Sequence, residues 1–114
     1  MHELAIASAV LEAVRQEAEK RSGARVTKVG LRLGELAGLD PDALSFSFEV
    51  LVKDSEFDRL VLEIQNCPVQ YRCRRCDETF LVQDYVTTCP RCGLPDTECV
   101  SGAELELAYL EVEE

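Results

Sequence analysis

No stretch of this 114-residue chain approaches the run of about 18 apolar residues that a membrane-spanning helix needs. The first residues lack the basic start and apolar run of a signal peptide, and no lipidation motif is visible, so a cytoplasmic protein with no membrane partner is expected. Basic residues are scarce: 12 Lys and Arg stand against 22 Asp and Glu, a net charge of −10. That field repels phosphate backbones and anionic lipid headgroups, which argues against nucleic acid as the main partner. Histidine occurs once, at position 2. Against these absences, 46% apolar and 30% charged residues describe an ordinary soluble chain, large enough for one domain or one domain with a small insert.

Cysteine is the residue in surplus, with six copies. In a reducing compartment these are metal ligands or free thiols rather than a disulfide framework. All six, and three of the four prolines, fall between residues 67 and 99, a stretch poor in large aliphatic side chains. It reads as an insert with its own means of folding.

The rest alternates helix and strand. "ELAIASAVLEAVRQEAEKR" carries Ile6, Val10 and Val14 on one stripe with Leu4, Ala7, Leu11 and Ala18 beside it, an amphipathic helix ending at Gly23. "RVTKVGLRL" sets Thr27, Val29, Leu31 and Leu33 against Lys28 and Arg32, the period of a half-buried strand. "LDPDALSFSFEVLVK" supplies Asp40 as N-cap, Pro41 at the first helical position and a Leu44, Phe48, Leu51 stripe. "RLVLEIQ" and "AELELAYLEVEE" read as two more strands; in the latter the apolar set moves from Leu105 and Leu107 to Leu110 and Val112, which predicts a bulge near Ala108. The expected fold is α+β, a small three-stranded mixed sheet with two helices on one face, formed by residues 1–66 and 100–114. A four-cysteine zinc-ribbon domain is inserted at 67–99.

Within the insert, Cys73-Arg74-Arg75-Cys76 and Cys89-Pro90-Arg91-Cys92-Gly93 form a C-x2-C…C-x2-C array. Each C-x2-C bends two thiolates toward one point, and two such knuckles supply the tetrahedral four-sulfur set that suits Zn(II). Four sulfurs close the shell, so this zinc is expected to be structural. A thioredoxin-like redox site is a single pair opening a helix in a βαβ unit and does not match two pairs in a turn-rich stretch. Arg72, Arg74, Arg75 and Arg91 are offset by Asp77, Glu78, Asp84, Asp96 and Glu98, so no basic patch emerges. Cys67 and Cys99 stand outside the array and are expected to be buried, reduced thiols where the insert joins the body, with a redox-sensitive pair as the alternative.

The lone histidine has a chemistry of its own. The Met1 amine and the His2 amide nitrogen close a five-membered chelate ring, and that amide with His2 Nδ1 closes a six-membered one. Three coplanar nitrogens suit square-planar Ni(II) or Cu(II) better than zinc. The fourth corner is open to the Glu3 amide, to a side-chain oxygen or to a ligand from a partner.

"MHEL" opening a helix, Gly34-Glu35-Leu36, "LSFSFE" at Leu44 to Glu49, and a four-cysteine insert before a final strand together resemble the HypA family of nickel chaperones for [NiFe] hydrogenase maturation. The resemblance covers essentially the whole chain. It implies a labile, transported Ni(II) held at Met1, His2 and Glu3, and a structural Zn(II) held by Cys73, Cys76, Cys89 and Cys92. It also implies a HypB-type GTPase and the apo large subunit of hydrogenase, or a urease, as partners, and no catalysis. The alternative is a zinc-ribbon adaptor that binds protein without delivering metal. Two features depart from the family pattern: the insert holds no histidine, and Cys67 and Cys99 lie outside the motif. Asp40 is a candidate extra oxygen donor as well as a helix cap.

Overall fold

The computed structural model describes residues 2–22 and 24–113. Its elements are α1 (Glu3–Lys20), β1 (Arg25–Gly34), a 3-10 turn (Glu35–Ala37), α2 (Pro41–Val52), β2 (Val61–Cys67), β3 (Gln70–Cys73), β4 (Thr79–Leu81), β5 (Thr97–Ser101) and β6 (Leu105–Glu113). They form two compact units: one of Met1–Arg32, Gly38–Gln65 and Glu106–Glu114, the other of Leu33–Ala37 and Asn66–Leu105.

In the first unit, helix α1 buries Ala7, Val10, Leu11 and Val14, the i, i+3, i+4, i+7 stripe of an amphipathic helix. It packs against α2, which buries Leu44, Phe48 and Val52 one turn apart. Asp40 caps α2 as its sequence position predicts, its Oδ1 accepting the Asp42 N–H at 2.9 Å and the Ala43 N–H at 3.5 Å. Gly23, the expected terminator of α1, lies outside the described residues. The helix ends at Lys20, where the Arg21 N–H turns back to the Ala18 carbonyl at 3.1 Å, a tightened last turn.

The sheet is mixed, in the order β2-β1-β6. Val29 and Leu31 of β1 are at most 2% exposed. On the other side of the strand Gly30 lies under the ring of Tyr109: a Cβ at residue 30 would stand 2.0 Å from Tyr109 Cε1. The Tyr109 hydroxyl donates to Glu63, and Lys28 Nζ approaches the same carboxylate at 3.5 Å. Arg32 pairs with Glu106 at 2.9 Å.

Strand β6 changes phase where the sequence predicts. Leu107, Leu110 and Val112 line one cavity with Ala13, Gln16 and Glu17 of α1, whereas Glu106 and Tyr109 reach the opposite face. Residues three apart share a face only where a strand gains a residue, so the shift lies between Leu107 and Leu110.

The Glu63 carboxylate is held below its usual range, first by the Tyr109 hydroxyl and then by Lys28, and the Tyr109 hydroxyl is pushed up to about 12 by that same hydrogen bond. A raised folded value contributes stability below the unfolded tyrosine range that is lost as pH climbs through 12. With three tyrosines in the chain, one third of the tyrosinate absorbance should appear near pH 12, and Glu63→Gln should move that step down. A titration identical in the variant would refute the pairing.

The second unit holds a sheet the sequence does not reveal, in the order β4-β3-β5 and antiparallel throughout. Tyr71 faces Phe80 on one side and Cys99 on the other, with a register shift at Gln70/Tyr71. Its strands are three to five residues long, too short for periodicity to declare them. The chain boundaries also differ from those set by the outermost cysteines. Leu33–Ala37 belong to this unit because the Gly34 N–H bonds the Glu104 carbonyl and the Leu36 N–H the Gly102 carbonyl, both at 2.7 Å.

Candidate metal centres

Two turns of the same construction bring the four array cysteines together. In the first, the Cys73 N–H bonds the Glu78 carbonyl at 2.8 Å and the Asp77 N–H bonds the Cys73 carbonyl at 3.0 Å. In the second, the Cys89 N–H bonds the Leu94 carbonyl at 3.0 Å and the Gly93 N–H the Cys89 carbonyl at 2.8 Å. Both turns need a left-handed residue four places after their first cysteine: Gly93 at φ 75° and Asp77 at φ 65°. Glycine takes that conformation freely, and aspartate is among the side chains that tolerate it. Sequence reasoning recognises Gly93 and misses Asp77, although the common offset of four was available to find it. The Asp77 carboxylate is then held by Arg72 at 3.0 Å.

The sulfurs of Cys73, Cys76, Cys89 and Cys92 all lie within 4.8 Å of one another, with Cys73 to Cys92 at 3.6 Å and Cys76 to Cys89 at 3.5 Å. A tetrahedron with Zn–S bonds of about 2.3 Å has edges of about 3.8 Å, so the arrangement matches the size of a zinc tetrathiolate. Soft sulfur donors and a closed count of four fit the same metal. The surroundings already separate protons from sulfurs. Backbone N–H groups, first that of Cys76 and then that of Arg75 at 3.4 Å, hold the Cys73 thiol below its ordinary value. Burial pushes Cys89 up, but the Cys92 and Arg91 N–H groups outweigh it and bring it down to about 7. For Cys76 the Glu78 N–H pulls down, yet the adjoining Cys89 sulfur and desolvation raise it to about 12. Cys92 is raised in the same way, against its Leu94 N–H, by desolvation and the Cys73 sulfur. The first cysteine of each knuckle is thus held low and the second high, and a dication bound there would displace the thiol protons.

Around the centre Arg74 and Arg75 both reach Asp96, at 3.1 and 3.3 Å, and Arg91 meets Glu78 at 3.6 Å. The arginines of the insert are thereby matched with acids, consistent with the absence of a basic patch in the sequence.

Cys67 is 8% exposed, as expected, whereas Cys99 is exposed, which corrects the expectation of two buried thiols. Cys99 sits on β5, where its Sγ lies 3.2 Å from the Ser101 carbonyl.

At the other candidate centre, Met1 lies outside the described residues. His2 is exposed in extended conformation at the N-cap of α1, and its side chain makes no capping bond. Its carbonyl accepts the first helical bond, from the Ile6 N–H at 3.2 Å. Helix α1 therefore makes no demand on the backbone nitrogens of His2 and Glu3, which precede that bond. The Glu3 carboxylate accepts the Asp40 N–H at 3.3 Å, placing Glu3 at the start of α2. The Asp40 carboxylate is engaged with the Asp42 and Ala43 amides, as a cap requires.

A small α+β unit whose exposed first-turn histidine makes no capping bond, together with a four-cysteine cluster of the size zinc needs, has the donors of a metal-handling protein. The comparisons with known proteins agree. The family model described as "Hydrogenase/urease nickel incorporation, metallochaperone, hypA" matches residues 1–112. A hydrogenase maturation factor HypA of Roseiflexus sp. (strain RS-1) is 42% identical over 115 residues, covering 100% of this chain and 94% of the relative. One of Geotalea uraniireducens (strain Rf4) is 40% identical over 113 residues, covering 99% of this chain and 100% of the relative. Among solved structures, the nickel metallochaperone HypA of Helicobacter pylori superimposes with a TM-score of 0.65 at 23% identity, with 97% of each chain covered. A second HypA solution structure gives a TM-score of 0.72 at 24% identity over 99% of this chain and 97% of the other. At that identity the structures speak for the fold alone. The chain belongs to the HypA family of metallochaperones for nickel incorporation into hydrogenase and urease, and is not an enzyme.

Proposed function

We propose that this protein binds Ni(II) at its amino terminus and releases it into the apo large subunit of a [NiFe] hydrogenase, or into a urease, in the cytoplasm. Met1 contributes its amine, His2 its amide nitrogen and Nδ1, and Glu3 its amide or carboxylate. Cys73, Cys76, Cys89 and Cys92 hold Zn(II), whose role is to order the second unit. A HypB-type GTPase is the partner with which nickel is exchanged.

The observation that carries the reading is the freedom of the first turn: α1 begins without using the His2 and Glu3 amides, and the imidazole is exposed with no capping bond. An amide nitrogen can be deprotonated onto a square-planar metal only when no helix bond depends on it, and the four leading N–H groups of a helix are the ones that meet this condition. Exposure suits cargo that must leave. The Glu3 carboxylate, engaged by the Asp40 N–H, anchors the turn beside α2.

The test is a nickel titration of tag-free protein. Either His2→Ala or a short N-terminal extension should weaken nickel binding by about 100-fold or more and abolish the planar Ni(II)–amide absorbance band, with zinc content unchanged. Equal nickel uptake by the His2→Ala protein would overturn the ligand set and favour the zinc-ribbon adaptor.

A further inference from the structure

We infer that Cys92 is the modification site of the tetrathiolate centre, the sulfur at which a soft electrophile first enters and from which the metal is released. The inference rests on the zinc reading proposed above and concerns how the four ligands differ.

They divide by position within their knuckles. Cys73 and Cys89, the first cysteine of each, are 0% and 2% exposed. The Arg75 N–H also approaches the Cys73 sulfur, at 3.4 Å. Cys76 and Cys92, the second of each pair, are the less buried two. Once zinc is bound all four are thiolates, so access and hydrogen bonding rank their reactivity. Donors directed at a sulfur draw off the electron density an electrophile seeks, and burial blocks its approach. Burial protects both sulfurs of the inner pair, and at Cys73 the Arg75 N–H adds to it.

Between the outer two, exposure decides. Cys76 is half-buried and Cys92 exposed. The first knuckle leaves directly from β3, with both its arginines on Asp96, while the second is joined by loop on each side and its Arg91 reaches Glu78 only at 3.6 Å.

With hydrogen peroxide as the electrophile, the Cys92 thiolate attacks one oxygen, the O–O bond breaks, and a sulfenic acid and hydroxide result. The Cys73 sulfur, 3.6 Å from Cys92, then attacks the sulfenic sulfur and expels a second hydroxide. Two electrons pass from two thiolates to one peroxide, two protons from solvent convert the hydroxides to water, and a Cys73–Cys92 disulfide remains. Zinc loses two of its four ligands and departs.

The test uses the full zinc-loaded chain carrying Cys99→Ser, so that the exposed thiol outside the centre does not consume reagent. Zinc is quantified first; a chain without it overturns the zinc reading, a different result from failure of the present inference. Treatment with roughly half an equivalent of N-ethylmaleimide, followed by peptide mapping, should place about ten times more label on Cys92 than on Cys73 and Cys89 together. Peroxide should give the Cys73–Cys92 disulfide as first product, with one zinc released per disulfide to a chromophoric chelator. Label first at any other ligand, an even spread over all four, or a Cys76–Cys89 disulfide as first product would overturn it.

Discussion

Stripping the metal with a strong chelator should unfold the second unit and leave the first intact. The buried apolar residues of the second unit are Leu33, Cys67, Cys73 and Cys89, so three of the four are cysteines and two of those are metal ligands. Strands of three to five residues with so little between them cannot offset the entropy of ordering some forty residues. A structural zinc site contributes about 10–16 kcal/mol, comparable to the whole stability of an ordinary domain. The first unit buries Phe48, Leu44, Val14 and Val29 to 1% exposure or less and owns both helices. Far-ultraviolet circular dichroism should therefore keep its helical signal after chelation, while amide exchange over 70–101 rises to that of an unfolded chain. Cys89→Ser should behave as the stripped protein does. Persistent protection of β3 and β5 in zinc-free protein would show that the metal does not hold that unit.

Gly34→Ala should cost about 2–4 kcal/mol, and the identical change at Gly38 about 1 kcal/mol. At Gly34 a methyl group would stand 2.1 Å from the Gly102 carbonyl oxygen and 2.7 Å from the Ala103 nitrogen. These are backbone atoms and cannot rotate away, so the chain must part, and the Gly34–Glu104 and Leu36–Gly102 bonds go with it. At Gly38 nothing lies within 4 Å, and the only cost is a side chain at φ +76°. Guanidinium unfolding of the zinc-loaded variants separates the two mechanisms: equal losses would mean that the close approach at Gly34 is relieved without effect. The contact also accounts for the glycine of the Gly34-Glu35-Leu36 motif, which serves backbone packing.

Much of the four-cysteine centre was legible in the sequence. The two C-x2-C pairs identify a four-sulfur site because the spacing within each pair is itself the geometry of a knuckle. Asp40-Pro41 marks the start of α2 because a cap acts through amides two and three residues away, and the displaced apolar set of β6 marks its phase shift for the same local reason. The exposure of Cys99 was not legible, because burial depends on what the fold places over a residue.

What the sequence determined by itself are properties that act over a few residues: helical and strand periods, the N-cap and the knuckles. The tertiary structure alone decided which glycine is crowded, which segments join the four-cysteine unit, and that four cysteines alike in the sequence become an inner and an outer pair. Those depend on contacts between segments remote in the chain, such as Gly34 with Gly102 and Arg74 with Asp96, for which no local pattern exists.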